Sequence, residues 1–210
     1  MEYIPNRQIA AELLADRLER YKGQKGVVLA IPRGGVPVAA PIARRLGMPL
    51  DVIVSKKIGH PANPEFAIGA VSLEDVEVDK RSDVSQEYIQ AEVDRIKQSL
   101  RQKYQLFMGS RQPVDLHDRV VIIVDDGIAT GKTLLSTIHM ARHKQPRRLI
   151  VAVPVAPKAA IKQIEGIVDE VVCLLVPPMF QAVGQFYQEF EQVSDEEVIR
   201  LLRQQDRSQG

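Results

Sequence analysis

The sequence predicts an α/β protein built on an open, mostly parallel sheet flanked by helices. Three observations carry that expectation. The runs "RVVIIVDD" and "RRLIVAVPV" are continuous and β-branched, the pattern of strands buried on both faces. Apolar runs alternate with stretches of helical periodicity along most of the chain. Small-residue turns follow two of the strands and open helices, as in "IPRGG" and "GIATGKT".

Asn6 can cap a first helix whose apolar positions Ile9, Leu13, Leu14 and Leu18 keep helical spacing. The run "GVVLAIP" reads as a strand, followed by a Gly-rich turn and a helix over residues 36–46 that Gly47 closes. "LDVIVSK" and "FAIGAVS" read as further strands. Between them, residues 55–66, "SKKIGHPANPEF", combine Gly, Pro and Asn and are expected to form a long mobile loop. Residues 86–108 read as a long, mostly polar helix with Ile89, Val93, Ile96, Leu100, Tyr104 and Phe107 on one face. Such a stripe docks on the chain's own core or, in a second reading, makes the helix an arm for a homodimer. After "RVVIIVDD" a helix over 133–142 leads to "RRLIVAVPV", and a helix over 158–166 precedes a last strand, "DEVVCLLV". Ser194 can cap a C-terminal helix whose first turn carries Asp195, Glu196 and Glu197. The expected organisation is one domain over 1–210, with a core over 5–176, a helical arm over 85–108 and a C-terminal region over 177–204.

Bulk composition narrows the function classes. Lys and Arg total 28 against 27 acids, and a net charge of +1 leaves no footprint for a polyanion, so nucleic acid is not an expected partner. No apolar stretch approaches the roughly eighteen residues that span a bilayer, and "MEYIPNRQ" lacks the pattern of a secretory signal. Cys173, the single cysteine, lies in an apolar run and suits core filling in a reducing compartment. The expectation is a soluble, cytoplasmic protein without a membrane partner. His139 and His143 stand four apart on a helix, but no Cys or acidic motif completes a zinc site, and they read as part of a solvated face.

The stretch "VVIIVDDGIATGKT" carries the chemistry. It is not a nucleoside triphosphatase loop, because Gly127 to Gly131 is one residue too short and Asp126 stands where the first glycine belongs. An aspartate aimed into a polyphosphate nest would repel its ligand. Two adjacent carboxylates can instead accept hydrogen bonds from a vicinal diol. Ala129, Thr130, Gly131, Lys132 and Thr133 would then wrap one phosphate at the start of the following helix, whose dipole favours an anion. Acids facing a sugar and a loop facing its phosphate together describe a ribose 5-phosphate site.

This stretch resembles the 5-phosphoribosyl-1-diphosphate signature of the type I phosphoribosyltransferases, and the similarity extends over roughly residues 27–198. It is nearest to a branch of predicted phosphoribosyltransferases whose acceptor is unassigned. The resemblance implies the type I fold: a parallel α/β core, a flexible loop over the site and a small C-terminal hood for the acceptor. It implies that Asp125 and Asp126 bind the ribose hydroxyls, directly or through metal-bound water, with Mg²⁺ held mainly by the donor. "AIPRGGVPVA" resembles the family's pyrophosphate loop, with Arg33 as a fixed cation and Gly34 and Gly35 allowing close backbone approach. Lys56 and Lys57 would reach the leaving pyrophosphate once the loop over 55–66 closes, and His60 and Glu65 become acid–base candidates only then. In the hood a ring stacks on a planar acceptor, with Phe186 or Tyr187 as candidates and the other aromatics as core. The implied activity is transfer of a ribose 5-phosphate group to a nucleobase-like acceptor with release of pyrophosphate, Arg33, Lys57, Asp125 and Asp126 being catalytic. A donor-sensing regulatory protein is the alternative. Ala129 stands where hypoxanthine-guanine members tend to carry an acid, which counts against that acceptor.

Overall fold

Runs of Val and Ile that bury apolar surface on both faces form the middle layer. The computed structural model describes residues 2–79, 83–129 and 131–207, and of residues 132, 133, 206 and 207 the backbone alone. Strands β1 (Gly26–Ala30), β2 (Leu50–Val52), β6 (Val120–Val124), β7 (Arg148–Val155) and β8 (Glu170–Leu175) make one sheet in the order β2-β1-β6-β7-β8, every pair parallel. A second, antiparallel sheet is formed by β3 (Ser55–His60), β4 (Asn63–Ser72) and β5 (Val76–Val78). Among the described residues, six α-helices surround these strands: α1 (Arg7–Leu18), α2 (Gly35–Leu46), α3 (Gln86–Met108), α4 (Lys132–His143), α5 (Lys158–Ile164) and α6 (Asp195–Arg207). No helix among the described residues is long and apolar enough to cross a membrane.

Alternation along the central strands sorts side chains into two cores. Val120, Ile122 and Val124 of β6 join Leu14, Ile42 and Ile96 on the face covered by α1, α2, α3 and α6. Val121 and Ile123 point the other way, to Leu134, Ile138 and Ile164 of α4 and α5. Three helix ends have a local cause. Asn6 accepts from the Ile9 amide at 3.0 Å to start α1, Ser85 accepts from Tyr88 at 3.3 Å to start α3, and Gly47 closes α2 at φ +67°.

One expectation is corrected here. The segment over 55–66 is not an irregular loop but the β3–β4 hairpin, turned at Pro61 and Ala62. Its glycine and prolines do not break the strands, because Gly59 sits at a register irregularity and Pro64 in the first turnward residues of β4. A side chain at 59 would fall 2.6 Å from the Pro64 carbonyl oxygen. The α3 stripe docks on the chain's own core, against α6, β2 and the hairpin, as the first of its two readings expects.

The edge strand β2 carries a buried carboxylate. Asp51 accepts from the Val52 amide (2.7 Å), the Tyr104 hydroxyl of α3 (2.9 Å) and the Val114 amide (2.8 Å), so one side chain ties strand, helix and connecting segment. Burial outweighs these donors and holds its carboxyl above the usual carboxylate range. Removing one donor from a buried acceptor costs more than the bond is worth net. Tyr104→Phe should therefore lower the unfolding free energy by about 1–2 kcal/mol in urea titrations, with little change in the slope.

Candidate active site

The sheet order changes direction between β1 and β6, since β1 is followed by β2 on one side while β6 lies on the other. Open α/β sheets bind ligands at such a point, beyond the carboxyl ends of the strands. There the chain leaves β1 through Ile31, Pro32, Arg33 and Gly34 to start α2, with the Pro32–Arg33 peptide cis. The Ile31 amide donates to the Val124 carbonyl at 2.9 Å, which holds this turn against the end of β6. Asp125 and Asp126 follow directly.

The two loops touch. A Cβ added to Gly34 would collide with Asp126 Oδ2, and one added to Gly35 would lie 2.6 Å from the Val124 carbonyl oxygen. Only residues without a side chain fit, so the glycine pair expected to approach a ligand also makes room for the carboxylate. Asp125 Oδ1 accepts from the Asp126 amide at 2.8 Å. Desolvation, with the Asp126 charge second, pushes the Asp125 carboxyl well above the ordinary carboxylate range.

Beyond Asp126, Gly127 packs on Val183 and the Ile128 amide donates to the Val155 carbonyl at 2.9 Å. Ala129 is exposed, and Gly131, at φ +73°, turns the backbone into α4 at Lys132. The backbone thus delivers a small-residue loop to a helix N-terminus. Thr130 and the side chains of Lys132 and Thr133 lie outside the described residues.

The hood has two sources rather than one. Besides the C-terminal segment, residue Ile4 pairs with Tyr187, its amide donating to the Phe186 carbonyl (2.7 Å) and its carbonyl accepting from Gln188 (2.9 Å). This brings Arg7, at the start of α1, to Asp126. The guanidinium donates from Nε (3.0 Å) and Nη2 (2.8 Å) to Asp126 Oδ2 and from Nη1 (2.8 Å) to the Glu191 carbonyl, over the Phe190 ring at 4.0 Å. Arg7, Arg33, Gly34, Asp126 and Phe190 line a cleft of about 360 Å³. Arg33 Nη1 stands 3.6 Å from Asp195 Oδ1 and also borders a neighbouring groove with Lys103 of α3.

Of the rings expected to stack on an acceptor, Tyr187 is buried and donates its hydroxyl to the Asp126 carbonyl at 2.7 Å. Burial pushes its phenol upward, so it stays a neutral donor. Phe186 stacks on Phe180 at 5.3 Å. The ring at the cleft is Phe190, which the sequence reading left in the core. The hairpin contributes nothing to the cleft lining among the described residues. Lys56 is exposed, Lys57 pairs with Glu65 at 2.9 Å, and His60 lies 3.2 Å from Asp83. Arg7 and Phe190 escaped sequence reasoning because no local pattern announces contacts made between segments far apart in sequence. A separate apolar cleft of about 250 Å³ at the β2 edge is bordered by Lys144, which pairs with Glu74 at 2.6 Å and Asp75 at 3.4 Å.

Residues 4–191 match the phosphoribosyl transferase domain. A Mycobacterium tuberculosis protein provisionally named a phosphoribosyl transferase is 39% identical over 207 residues, which cover 96% of this chain and 47% of that protein. The chain thus spans about half the length of the curated relatives it matches. The crystal structure of TT1426 from Thermus thermophilus superposes with a TM-score of 0.86 at 39% identity, covering 97% of this chain and 99% of the other. A hypoxanthine-guanine phosphoribosyltransferase from Bacillus anthracis shares the fold at a TM-score of 0.50 and 16% identity, covering 85% of each chain. The abutting loops at the switch point and the match over most of the length agree: the chain belongs to the phosphoribosyl transferase domain family.

Proposed function

We propose that this chain transfers a ribose 5-phosphate group from 5-phosphoribosyl-1-diphosphate to a planar, nucleobase-like acceptor and releases pyrophosphate. The observation that carries the reading is the contact between the two loops. The Asp126 carboxylate lies against the Gly34 backbone, so a sugar held by the acid has its anomeric carbon beside the Arg33–Gly34 turn. Asp125 and Asp126 accept from the ribose hydroxyls, and the loop from Ala129 to Thr133 takes the 5-phosphate at the start of α4. Arg33 faces the pyrophosphate. As the bond to pyrophosphate lengthens, the ring gains oxocarbenium character, and fixed charge beside the leaving group lowers the barrier.

Magnesium fits this site as a passenger of the donor. No group of three acidic, imidazole or thiol side chains converges among the described residues, so the protein supplies two carboxylates at most and the donor the remaining oxygens. When bound it neutralises charge on the departing pyrophosphate. Lys57 acts on the same charge only if the β3–β4 hairpin closes and its pairing with Glu65 is exchanged.

Pyrophosphate release on mixing protein, donor, Mg²⁺ and a panel of nucleobases tests the reading, with turnover on at least one base expected. Donor binding with no turnover on any base would favour the sensor alternative. In calorimetry, Asp126→Asn should weaken donor binding by about ten- to a hundredfold, the worth of hydrogen bonds to a charged group. Gly34→Ala should abolish it by displacing the carboxylate, with circular dichroism unchanged for both. Lys57→Ala should reduce kcat more than donor affinity, and equal losses would remove its transition-state role.

A further inference from the structure

Arg7 stands outside the motifs that carry the proposed chemistry, yet it holds one of their acids. Nε and Nη2 converge on Asp126 Oδ2 at 3.0 and 2.8 Å, while Nη1 donates to the Glu191 carbonyl and Phe190 covers the guanidinium. The anchor is therefore itself anchored, and its side chain is only 13% exposed. Most surface arginines lose rotamer freedom when they make a contact; this fork is fixed by a carbonyl and a ring before any ligand arrives.

The contact is one-sided. Both nitrogens use Oδ2, so the guanidinium leaves Oδ1 to a ligand in the cleft that Asp126 lines. Backbone contacts do not decide where that second oxygen points. Tyr187 holds the Asp126 carbonyl and Asp125 its amide, but the carboxylate turns about its own side-chain bonds, and the last of these is broad and nearly two-fold. Gly34 gives the carboxylate room, and room alone chooses no orientation. Pinning Oδ2 from two nitrogens confines Oδ1 to the short arc that covalent geometry allows. A hydroxyl that meets an acceptor already in place loses none of its binding to ordering that acceptor.

We propose that Arg7 is a positioning residue for the donor: it divides the Asp126 carboxylate into one oxygen spent on the protein and one presented to a ribose hydroxyl. This rests on the donor binding proposed above. Arg7 touches neither sugar nor acceptor, and its whole effect on the donor passes through Asp126. Donor recognition therefore reaches back to a segment that precedes the first strand, although none of the phosphate-binding loops lies there.

A double-mutant cycle read by calorimetry with 5-phosphoribosyl-1-diphosphate and Mg²⁺ tests this. In the wild-type background Arg7→Gln should weaken donor binding by about tenfold, the net worth of one well-aligned hydrogen bond. In the Asp126→Asn background the same change should cost less than about twofold, because the group through which Arg7 acts is already gone. Arg7→Lys keeps the charge without the fork, so its affinity should fall between wild type and Arg7→Gln. Equal losses in the two backgrounds would place Arg7 on the ligand itself and overturn the proposal. Wild-type donor affinity in Arg7→Gln would overturn it, and so would wild-type affinity in Arg7→Lys, which would reduce the contact to charge alone. Should circular dichroism show Arg7→Gln unfolded, the cycle of Arg7→Lys with Asp126→Asn makes the same comparison. Donor bound by wild type with no base turned over would remove the transfer reaction and leave the role of Arg7 standing, since the cycle reads binding alone. Failure of wild type to bind the donor would remove both.

Discussion

The architecture of the site depends on one close approach, that of the Gly34 backbone to the Asp126 carboxylate. It is possible because β1 and β6 are adjacent, parallel and in register to their last residues, Ala30 opposite Val124. Both strands then end at the same level, and whatever follows them must share the space beyond the sheet. A side chain at either glycine would push the turn off β6 and separate the two halves of the site. The apolar run in β6 is therefore more than core filling. Its register places the acids that follow it.

Asp126 is held from three directions by groups remote in sequence or adjacent to it. Its backbone carbonyl accepts from Tyr187, its amide donates to Asp125, and its carboxylate accepts from Arg7. The Tyr187 contact relies on the phenol remaining protonated, which burial ensures. The Arg7 contact relies on the N-terminal segment lying beside residues 186–189, through main-chain bonds of Ile4 and Pro5. The N-terminal segment and residues 186–189 thus fix each other, and the residues that follow them, Arg7 and Phe190, border the cleft.

Sequence made some of this legible and not the rest, for reasons that differ by residue. The parallel sheet was readable because Val120 to Val124 and Leu149 to Val155 are buried without interruption, and only a strand covered on both faces calls for that pattern. The acids and the glycines were readable because their chemistry is local. The hairpin was misread because Gly59, Pro61 and Pro64 carry the same composition in a loop and in a bulged hairpin. Strand β5, "VEV", is too short and too exposed to leave a pattern. Arg7 and Asp126 are 119 residues apart, and nothing around Arg7 distinguishes it from a solvated charge on a capped helix. Tyr187 and Phe190 differ by three positions, and which ring is buried was decided by the pairing of Ile4 with Tyr187 rather than by either side chain.

The near-neutral net charge hides how charge is arranged around the site. Three cations in or near the site each meet an acid of the same chain: Arg7 with Asp126, Arg33 with Asp195 and Lys57 with Glu65. A ligand that takes one of these groups from its partner must exchange the pair, and the three exchanges are not equal. The Lys57–Glu65 pair is exposed and the Arg33–Asp195 pair is long, so solvent already screens both and their loss costs little. The Arg7–Asp126 pair is short, shared by two donors and largely withdrawn from water, so its exchange is the expensive one. An anion that engages Arg33 or Lys57 alone leaves the costly pair intact. The pair that resists separation therefore keeps the Asp126 carboxylate in place whichever of the two outer pairs is exchanged.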